Sequence, residues 1–245
     1  MSLAIKVTNL NMAYADNIEV LKGFTFAFEA GSFTAIVGPS GCGKSSLLRI
    51  LAGLQTPSSG DVEINQDTSI GYVFQEPTLL AWRTVFDNVA LPLKIKGLDK
   101  QLIDTRVTDA LALVGLVDRQ LALPRELSGG MKMRVSLARA LAQNPDVLFM
   151  DEPFGALDEL TRLKLDDDLL DIWRRQKCTI LFVTHTVSEA TYLAERVLVM
   201  SSDGQLKDDI KIESDTRNEA FRSSPEFHAT RLAITQSLEH NREAV

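Results

Sequence analysis

The stretch GPSGCGKS, residues 38–45, combines glycines, a lysine and a serine at the spacing of a phosphate-binding loop. Gly38 and Gly43 allow backbone N–H groups to wrap a phosphate, and Lys44 neutralises the phosphate oxygens. The hydroxyl of Ser45 is a suitable ligand for Mg²⁺. The buried-strand pattern FTAIVG leads into the loop, and the helical pattern KSSLLRILAGL follows it. This order of strand, loop and helix predicts a site for nucleotide phosphates.

Two carboxylates end another apolar run, VLFMDE, residues 147–152. Ligands of open α/β sheets bind at the carboxyl ends of strands. Because successive strand residues point to opposite sides, Asp151 and Glu152 should have different roles. One would hold Mg²⁺ through water, and the other would orient or deprotonate an attacking water.

Two more polar residues end predicted strands, Gln75 after GYVF and His185 after TILFVT. A neutral imidazole at that place would hydrogen-bond a γ-phosphate oxygen or an attacking water. An amide there would contact Mg²⁺ and water. Taken alone, a histidine after a strand is more often incidental than functional, and Gln75 is equally well explained as an ordinary polar loop residue.

A second glycine turn lies in ELSGGMKMRVSLARAL, residues 126–141. Ser128 is a favourable helix N-cap, and apolar residues recur at helical spacing after it. A helix that begins behind Ser128, Gly129 and Gly130 presents bare N–H groups and the positive end of its dipole to an anion. The chain therefore has two anion-binding turns, far apart in sequence.

Strands that alternate with helices predict an α/β fold with a mostly parallel sheet covered on both faces. The N-terminal strands LAIKVTNLNMAY and FTFAFEAGS indicate an antiparallel β edge, and RVLVMSSDGQLKDDIKIES indicates a hairpin. We expect one domain over residues 1–245, with a P-loop core at about 1–83 and 144–215. An inserted helical subdomain is expected at about 84–143, and a helical tail at about 216–245.

The composition is that of an ordinary globular protein, with 45% hydrophobic and 24% charged residues. A net charge of −7 argues against nucleic acid as a partner. Cys42 and Cys178 form no disulfide framework and indicate reduced thiols in a cytosolic protein. The chain start lacks the pattern of a signal peptide, and no stretch approaches the ~20 apolar residues of a membrane span. Any membrane role must therefore come through a partner.

The order of these motifs resembles the ATP-binding subunit of ABC transporters. The P-loop, Gln75, LSGGM, VLFMDEP, ALD (156–158) and His185 occur in the family's order, and the resemblance covers essentially the whole chain. A single glycine loop is weakly specific, whereas six elements in this order are very specific. The resemblance implies ATP hydrolysis with ATP and Mg²⁺. It also implies a P-loop ATPase core with an antiparallel β edge and a helical subdomain.

The resemblance assigns nucleotide-binding roles to single residues. Tyr14 matches the aromatic residue that stacks on adenine, and Asp158 matches a residue at the contact between two subunits. The phosphates would be bound by a continuous run of loop residues, namely Gly38, Pro39, Ser40, Gly41, Cys42, Gly43, Lys44, Ser45 and Ser46.

The resemblance also assigns the catalytic roles. Glu152 would be the general base, and His185 the switch residue at the γ-phosphate. Gln75 would contact Mg²⁺ and sense the membrane subunit. Asp151 would support Mg²⁺ together with Ser45.

In the family, Ser128, Gly129 and Gly130 grip the γ-phosphate of ATP bound to the opposite subunit. One chain then has two anion-binding turns because two chains share two nucleotides. The sequence departs from the family pattern at Met131 and Met133, where glutamine is usual. Methionine offers no comparable hydrogen bond, whereas the Ser-Gly-Gly contact is unaffected.

Several segments, including EPTLLAWRTVFDNVALPL and MDEPFGALDELTR, are most similar to importers of the nitrate, sulfonate and taurine group. We expect an ATPase subunit that forms a dimer, preferably a homodimer, with a second ATP-binding subunit. It would work with integral-membrane permeases and an external solute-binding protein, on the cytoplasmic face of the inner membrane. Leu79, Leu80 and Trp82 would receive a permease helix, although an apolar run there equally fits a subdomain core.

The main alternative is the ATPase subunit of an efflux or lipoprotein-release system with separate permeases. A chromosome- or repair-type ABC ATPase would carry a long heptad insertion before LSGG, and a translation-factor ABC protein would contain two ATPase units. A GTPase is disfavoured because the sequence contains no Asn-Lys-x-Asp guanine-binding motif. The solute is not indicated, since an ATPase subunit does not touch it.

Overall fold

The structure is a computed structural model that describes residues 2–14, 18–214 and 216–239. The boundaries expected at residues 1, 215 and 245, and the last six residues of the expected tail, lie outside these ranges. The strands are β1 (Leu3–Tyr14), β2 (Ile18–Glu29), β3 (Phe33–Val37), β4 (Ser59–Ile64), β5 (Ile70–Val73), β6 (Val147–Asp151), β7 (Thr179–Val183), β8 (Arg196–Met200) and β9 (Leu206–Lys211). The α-helices are α1 (Lys44–Leu51), α2 (Val85–Ile95), α3 (Lys100–Leu113), α4 (Gly129–Leu141), α5 (Glu159–Gln176), α6 (Val187–Leu193), α7 (Glu219–Arg222) and α8 (Pro225–Glu239).

The chain divides into two compact units. Met1–Asp67 and Lys177–Val245 form the first unit, and Thr68–Gln176 forms the second. The expected helical block at 84–143 falls within the second unit, which also contains β5, β6 and α5. Within the described ranges, no helix is both long enough and apolar enough to cross a membrane.

Four strands lie side by side in the first unit in the order β7-β3-β8-β9. β3 pairs in parallel with β7 and β8, whereas β9 runs antiparallel to β8. Every residue of β3 and β7 is buried, as expected for parallel strands covered on both faces. The predicted hairpin is confirmed, and its turn contains Gly204 at a φ of +80°.

A separate antiparallel sheet in the first unit has the strand order β2-β1-β4, which confirms the predicted antiparallel edge. β2 begins at Ile18, earlier than the start predicted at Phe24, because the preceding residues also pair with β1. β4 was not predicted. Its sequence SGDVEI has no apolar run, and its residues alternate between exposed and half-buried at the sheet edge. Pairing with β1 therefore defines this strand.

In the second unit, β5 pairs in parallel with β6, and three helices pack together beside them. Each of these helices begins at a side chain that accepts a hydrogen bond from the first turn. The caps are Thr84 for α2, Asp99 for α3 and Ser128 for α4. Such caps satisfy backbone N–H groups that have no partner within the helix. They explain why the helices begin at these residues.

Arg217 anchors the C-terminal tail to α6 in the first unit. Its side chain is buried, and its guanidinium donates to the carbonyl oxygens of Thr191 at 2.9 Å and Tyr192 at 3.1 Å. It also donates to the carbonyl oxygen of Ile212 at 3.3 Å and lies 5.0 Å from the centre of the Phe221 ring. The last carbonyls of a helix have no partner within it, so Arg217 caps the C-terminus of α6.

Replacing Arg217 with alanine should lower the free energy of unfolding by about 2–4 kcal/mol, because buried carbonyls lose a charged donor. Denaturant titration of the purified protein measures this change. Arg231→Ala, at an exposed position on α8, is the matched control and should stay within about 0.5 kcal/mol of the parent. Equal effects of the two substitutions would contradict the anchoring role of Arg217.

Candidate functional site

The glycine loop between β3 and α1 surrounds the ammonium group of Lys44. This side chain is 5% exposed, and its Nζ donates to the carbonyl oxygens of Gly38 at 2.9 Å and Pro39 at 2.8 Å. None of the described side chains caps the N-terminus of α1, and its first turn has no acidic residue. Bare N–H groups, a helix dipole and a buried cation therefore converge in one loop. This arrangement fits a phosphate group.

The loop depends on glycines for two different reasons. A Cβ atom added at Gly43 would lie 2.1 Å from the carbonyl oxygen of Val20, so this position has no room for a side chain. Gly43 also has a φ of +95° and Gly41 a φ of +84°, in the left-handed region that favours glycine. At Gly41, however, an added Cβ would meet no atom of the described residues within 4 Å. Packing therefore constrains Gly43, whereas only backbone conformation constrains Gly41.

Tyr14 lies beside the start of α1. Its hydroxyl is 2.9 Å from Oγ of Ser46, and it accepts a hydrogen bond from Nε2 of Gln55 at 3.1 Å. The hydrogen bond with Ser46, followed by the one with Gln55, lowers the pKa of Tyr14 from its ordinary value. The ring remains 43% exposed, and an exposed aromatic ring of this kind can stack on a nucleotide base.

Cys42 is a packing residue within the loop. Its side chain is buried, and its Sγ is 3.9 Å from Nζ of Lys44. Burial raises the pKa of the Cys42 thiol, which outweighs the opposite effect of the nearby lysine charge. The thiol is therefore mainly protonated and contributes volume to the loop rather than a nucleophile.

His185 and the glycine loop both follow the carboxyl ends of parallel strands in the first unit. It follows β7, which pairs in parallel with β3, and the backbone N–H of Thr184 donates to the carbonyl oxygen of Ile36 at 3.2 Å. The residue is exposed. Within this unit the structure thus brings His185, Tyr14 and the glycine loop to adjacent strand and helix ends.

Asp151 and Glu152 differ in backbone conformation as well as in exposure. Asp151 is buried at the end of β6, where its Oδ2 accepts a hydrogen bond from the Tyr72 hydroxyl at 3.4 Å. Glu152 has a φ of +46°, so the strand ends before it, and the predicted strand alternation does not apply to this residue. A left-handed conformation costs a non-glycine residue roughly 1–2 kcal/mol, and such strain is concentrated at functional sites. Gln75 follows β5, the parallel neighbour of β6, and so lies at the same sheet edge.

The second glycine turn begins α4 as predicted. The Oγ of Ser128 accepts a hydrogen bond from the backbone N–H of Met131 at 3.3 Å, which confirms Ser128 as the N-cap. A Cβ added at Gly130 would lie 2.7 Å from Cγ2 of Thr161, so packing requires glycine there. Gly129 is exposed, and an added Cβ would make only an ordinary contact at 3.6 Å. Gly129 is therefore not required for packing within this chain.

The residues near this turn have local structural roles. Met133 is buried among the core residues of α4, whereas Met131 is half-buried. Asp158 caps α5, because its Oδ1 accepts a hydrogen bond from the backbone N–H of Thr161 at 3.0 Å. Hydrogen bonds with Thr161 lower the pKa of the exposed Asp158 carboxyl.

Asn88, which the sequence did not single out, shapes the loop that follows Gln75. Its side chain is fully buried, and its Oδ1 accepts a hydrogen bond from the backbone N–H of Leu80 at 2.8 Å. Its Nδ2 donates to the carbonyl oxygen of Thr84 at 2.9 Å. The fixed loop leaves the Trp82 side chain 75% exposed, while Leu80 is half-buried.

Arg139 holds the other end of this loop from α4. Its guanidinium donates to the carbonyl oxygens of Pro77 at 3.0 Å and Thr78 at 2.9 Å, and to Oγ1 of Thr78 at 2.8 Å. Burial lowers the pKa of Arg139. Sequence periodicity could not identify Arg139 or Asn88, because their partners are loop carbonyls that follow no repeat.

Oxygen donors suited to Mg²⁺ are present at the expected positions. Ser45 offers a hydroxyl, Gln75 an amide oxygen and Asp151 a carboxylate. The described part of the chain has no group of three or more His, Cys, Asp and Glu side chains that could hold a metal ion.

The fold and the glycine loop define the chain as a P-loop nucleotide-binding protein of the α/β class. Residues 21–155 match the family model described as ABC transporter, and the chain therefore belongs to that family.

Similar proteins agree with this assignment. The chain is 45% identical over 208 residues to a nitrate import ATP-binding protein of Synechocystis sp., covering 81% of this chain and 78% of that protein. It is 40% identical over 230 residues to an aliphatic sulfonates import ATP-binding protein of Bacillus thuringiensis, covering 91% and 90%. Both confirm the predicted resemblance to the nitrate and sulfonate group.

Solved structures match as well. A dimeric bacterial ABC transporter cassette superposes with a TM-score of 0.76 at 32% identity, covering 86% of this chain and 99% of that one. A cassette in a post-hydrolysis state with ADP and Pi gives a TM-score of 0.75 at 31% identity. The predicted fold class is confirmed, and the chain is an ABC ATP-binding subunit that hydrolyses ATP.

Gly43→Ala should lower the free energy of unfolding by about 3 kcal/mol or more, because overpacking against the Val20 carbonyl adds to the strain of a left-handed alanine. Gly41→Ala carries the strain alone and should cost only about 1–2 kcal/mol. Denaturant unfolding without nucleotide measures both. Equal free energies of unfolding for the two variants would contradict the inference that the Val20 carbonyl leaves no room for a side chain at Gly43.

Proposed function

We propose that this chain powers an importer that takes up a small anion of the nitrate, sulfonate or taurine type through a separate permease. The observation that carries this proposal is similarity, over most of both chains, to relatives named nitrate and aliphatic sulfonates import ATP-binding proteins. In this role the chain lies on the cytoplasmic face of the membrane, bound to permease subunits. An external solute-binding protein delivers the anion.

In this proposal the glycine loop binds the ATP phosphates. The N–H groups at the start of α1 and the Lys44 ammonium donate hydrogen bonds to the phosphate oxygens. When ATP binds, Lys44 gives up its hydrogen bonds to the carbonyl oxygens of Gly38 and Pro39 and donates to the phosphate. Gly41 admits close approach of a ligand, because glycine leaves space there. Tyr14 stacks on the adenine, and its hydrogen bond with Ser46 holds the ring beside the loop.

Hydrolysis requires a water that is oriented and deprotonated. Glu152 takes its proton, and its left-handed backbone directs the carboxylate differently from Asp151 at the strand end. His185 donates a hydrogen bond towards the γ-phosphate. Mg²⁺ bound with ATP would supply positive charge at the phosphate oxygens, with Ser45, Gln75 and Asp151 as its oxygen donors.

Two copies of the chain form the active dimer in this proposal, as two chains do in the dimeric cassette. Ser128 and Gly129 are exposed at the start of α4, where the helix dipole and free N–H groups favour an anion. Packing within its own chain does not require glycine at position 129, which supports the proposal that an external phosphate approaches the backbone there.

Gly129→Asp and Lys44→Ala should separate the two anion-binding turns. Gly129→Asp should leave ATP affinity of the dilute subunit within about twofold but abolish ATP-dependent dimerisation, because the carboxylate faces a partner's phosphate. Lys44→Ala should weaken ATP binding itself about tenfold or more. A fluorescent ATP analogue measures affinity, and light scattering in a Glu152→Gln background measures dimerisation.

Gly129→Ala is the control for the added Cβ, and it should fold normally. If Gly129→Asp weakens ATP binding of the dilute subunit as much as Lys44→Ala, then the turn belongs to its own chain's nucleotide site, and the dimer proposal fails.

Uptake by cells tests the direction of transport and the solute class. Cells that lack the gene should lose uptake of labelled nitrate or of labelled taurine, and the parent gene should restore it. Glu152→Gln should not restore uptake, because loss of a positioned general base slows hydrolysis by about 10²–10⁴-fold. Glu226→Gln, an exposed position on α8, should behave like the parent. Unchanged uptake of both anions, with lost efflux of a preloaded solute, would indicate an exporter.

A further inference from the structure

One buried hydroxyl group holds both sides of His185. The side chain of Thr184 is 2% exposed, and its Oγ1 accepts a hydrogen bond from the backbone N–H of Thr186 at 3.0 Å. The same Oγ1 donates to Oε2 of Glu189. The Thr184 side chain therefore links the residue before His185 to the residue after it. The Glu189 carboxyl accepts the hydrogen bond of the hydroxyl and so sets the direction in which the Thr184 hydroxyl points.

Glu189 is itself fixed in place. It is 4% exposed in the first turn of α6, the helix whose last turn is capped by Arg217 from the tail. Burial of a carboxyl group is costly unless it makes hydrogen bonds, and an apolar residue would fill the same space at lower cost. Packing therefore does not explain why a carboxyl group is present here.

We propose that Glu189 is a positioning residue for His185 in ATP hydrolysis, acting through the hydroxyl of Thr184. The proposal depends on the role proposed above for His185 at the γ-phosphate. Without the carboxyl acceptor, the Thr184 hydroxyl can leave its rotamer and release the N–H of Thr186. The imidazole then loses its fixed direction, although the glycine loop and its ATP-binding groups are unchanged.

The test uses paired substitutions that remove or keep this hydrogen bond. Glu189→Ala and Thr184→Val remove it, and each should lower kcat about tenfold or more because misplaced groups lose catalytic efficiency steeply. Glu189→Gln keeps an acceptor oxygen, and Thr184→Ser keeps the hydroxyl, so both should retain most of the activity. The KM for ATP should change little in all four variants, because the phosphate-binding loop is untouched.

Thr191→Val is the matched control for buried hydrogen bonding on the same helix. The Thr191 hydroxyl is fully buried and donates to the carbonyl oxygen of Val187 at 2.8 Å, away from the loop of His185. This variant should lower thermal stability but leave kcat unchanged. If Thr191→Val and Glu189→Ala lose kcat in proportion to their loss of thermal stability, the effect on kcat is structural and the proposal is overturned.

NMR of the imidazole provides a readout that does not depend on turnover. The chain has three histidines, so His185→Ala assigns the His185 ring signal in labelled protein. The ATP-induced shift of this signal should change in Glu189→Ala and Thr184→Val and remain as in the parent in Glu189→Gln and Thr191→Val. An unchanged signal in Glu189→Ala, or equal losses of kcat in Glu189→Ala and Glu189→Gln, would contradict positioning through this hydrogen bond.

His185→Ala separates this inference from the proposed function. Retained hydrolysis in His185→Ala would remove His185 from the reaction and with it the catalytic purpose of Glu189. Lost hydrolysis in His185→Ala together with full activity in Glu189→Ala would leave the role of His185 intact and overturn the role of Glu189 alone.

Discussion

The position of the glycine loop in the first unit depends on one constraint, its close approach to the carbonyl oxygen of Val20. A Cβ atom at Gly43 would lie 2.1 Å from it, and so would a Cβ atom at Gly204 in the β8–β9 turn. The backbone N–H of Lys22 also donates to the carbonyl oxygen of Gly204 at 3.3 Å. The glycine loop and the hairpin turn thus both lie against the backbone of β2, so closely that neither Gly43 nor Gly204 could carry a side chain. This approach fixes the N-terminus of α1, whose N–H groups meet the phosphates in the proposed function.

The two glycine turns present the N-termini of their helices in different ways. At the start of α1, where no cap comes from the described side chains, the loop adds the buried ammonium of Lys44. At the start of α4, Ser128 occupies one N–H group and the turn is exposed. The first turn therefore surrounds a buried cation, whereas the second is open to solvent. Under the proposed function, the first turn meets a phosphate of its own chain's nucleotide and the second an external phosphate.

In the second unit, α4 connects the exposed glycine turn to the loop that carries Trp82. The helix begins at Gly129, and Arg139 in its last turn holds the carbonyls of Pro77 and Thr78. Its 13 residues span roughly 20 Å. Asn88 holds the same loop from α2, so hydrogen bonds from two helices fix the loop that presents Trp82.

The sequence by itself determined the motifs, the α/β class, the antiparallel edge and the central strands. Glycine loops need particular residues at particular spacings, and strands such as β3 and β7 are continuous apolar runs because both faces are buried. Only the tertiary structure decided β4, the end of β6 before Glu152, and the hydrogen bonds of Asn88, Arg139 and Glu189. The edge strand β4 is defined by its pairing with β1, not by an apolar pattern of its own. The left-handed backbone at Glu152 has no glycine that would have predicted it from the sequence. A polar side chain in the interior needs hydrogen-bond partners, and the fold supplies them from distant parts of the chain. Such partners leave no periodic pattern in the local sequence.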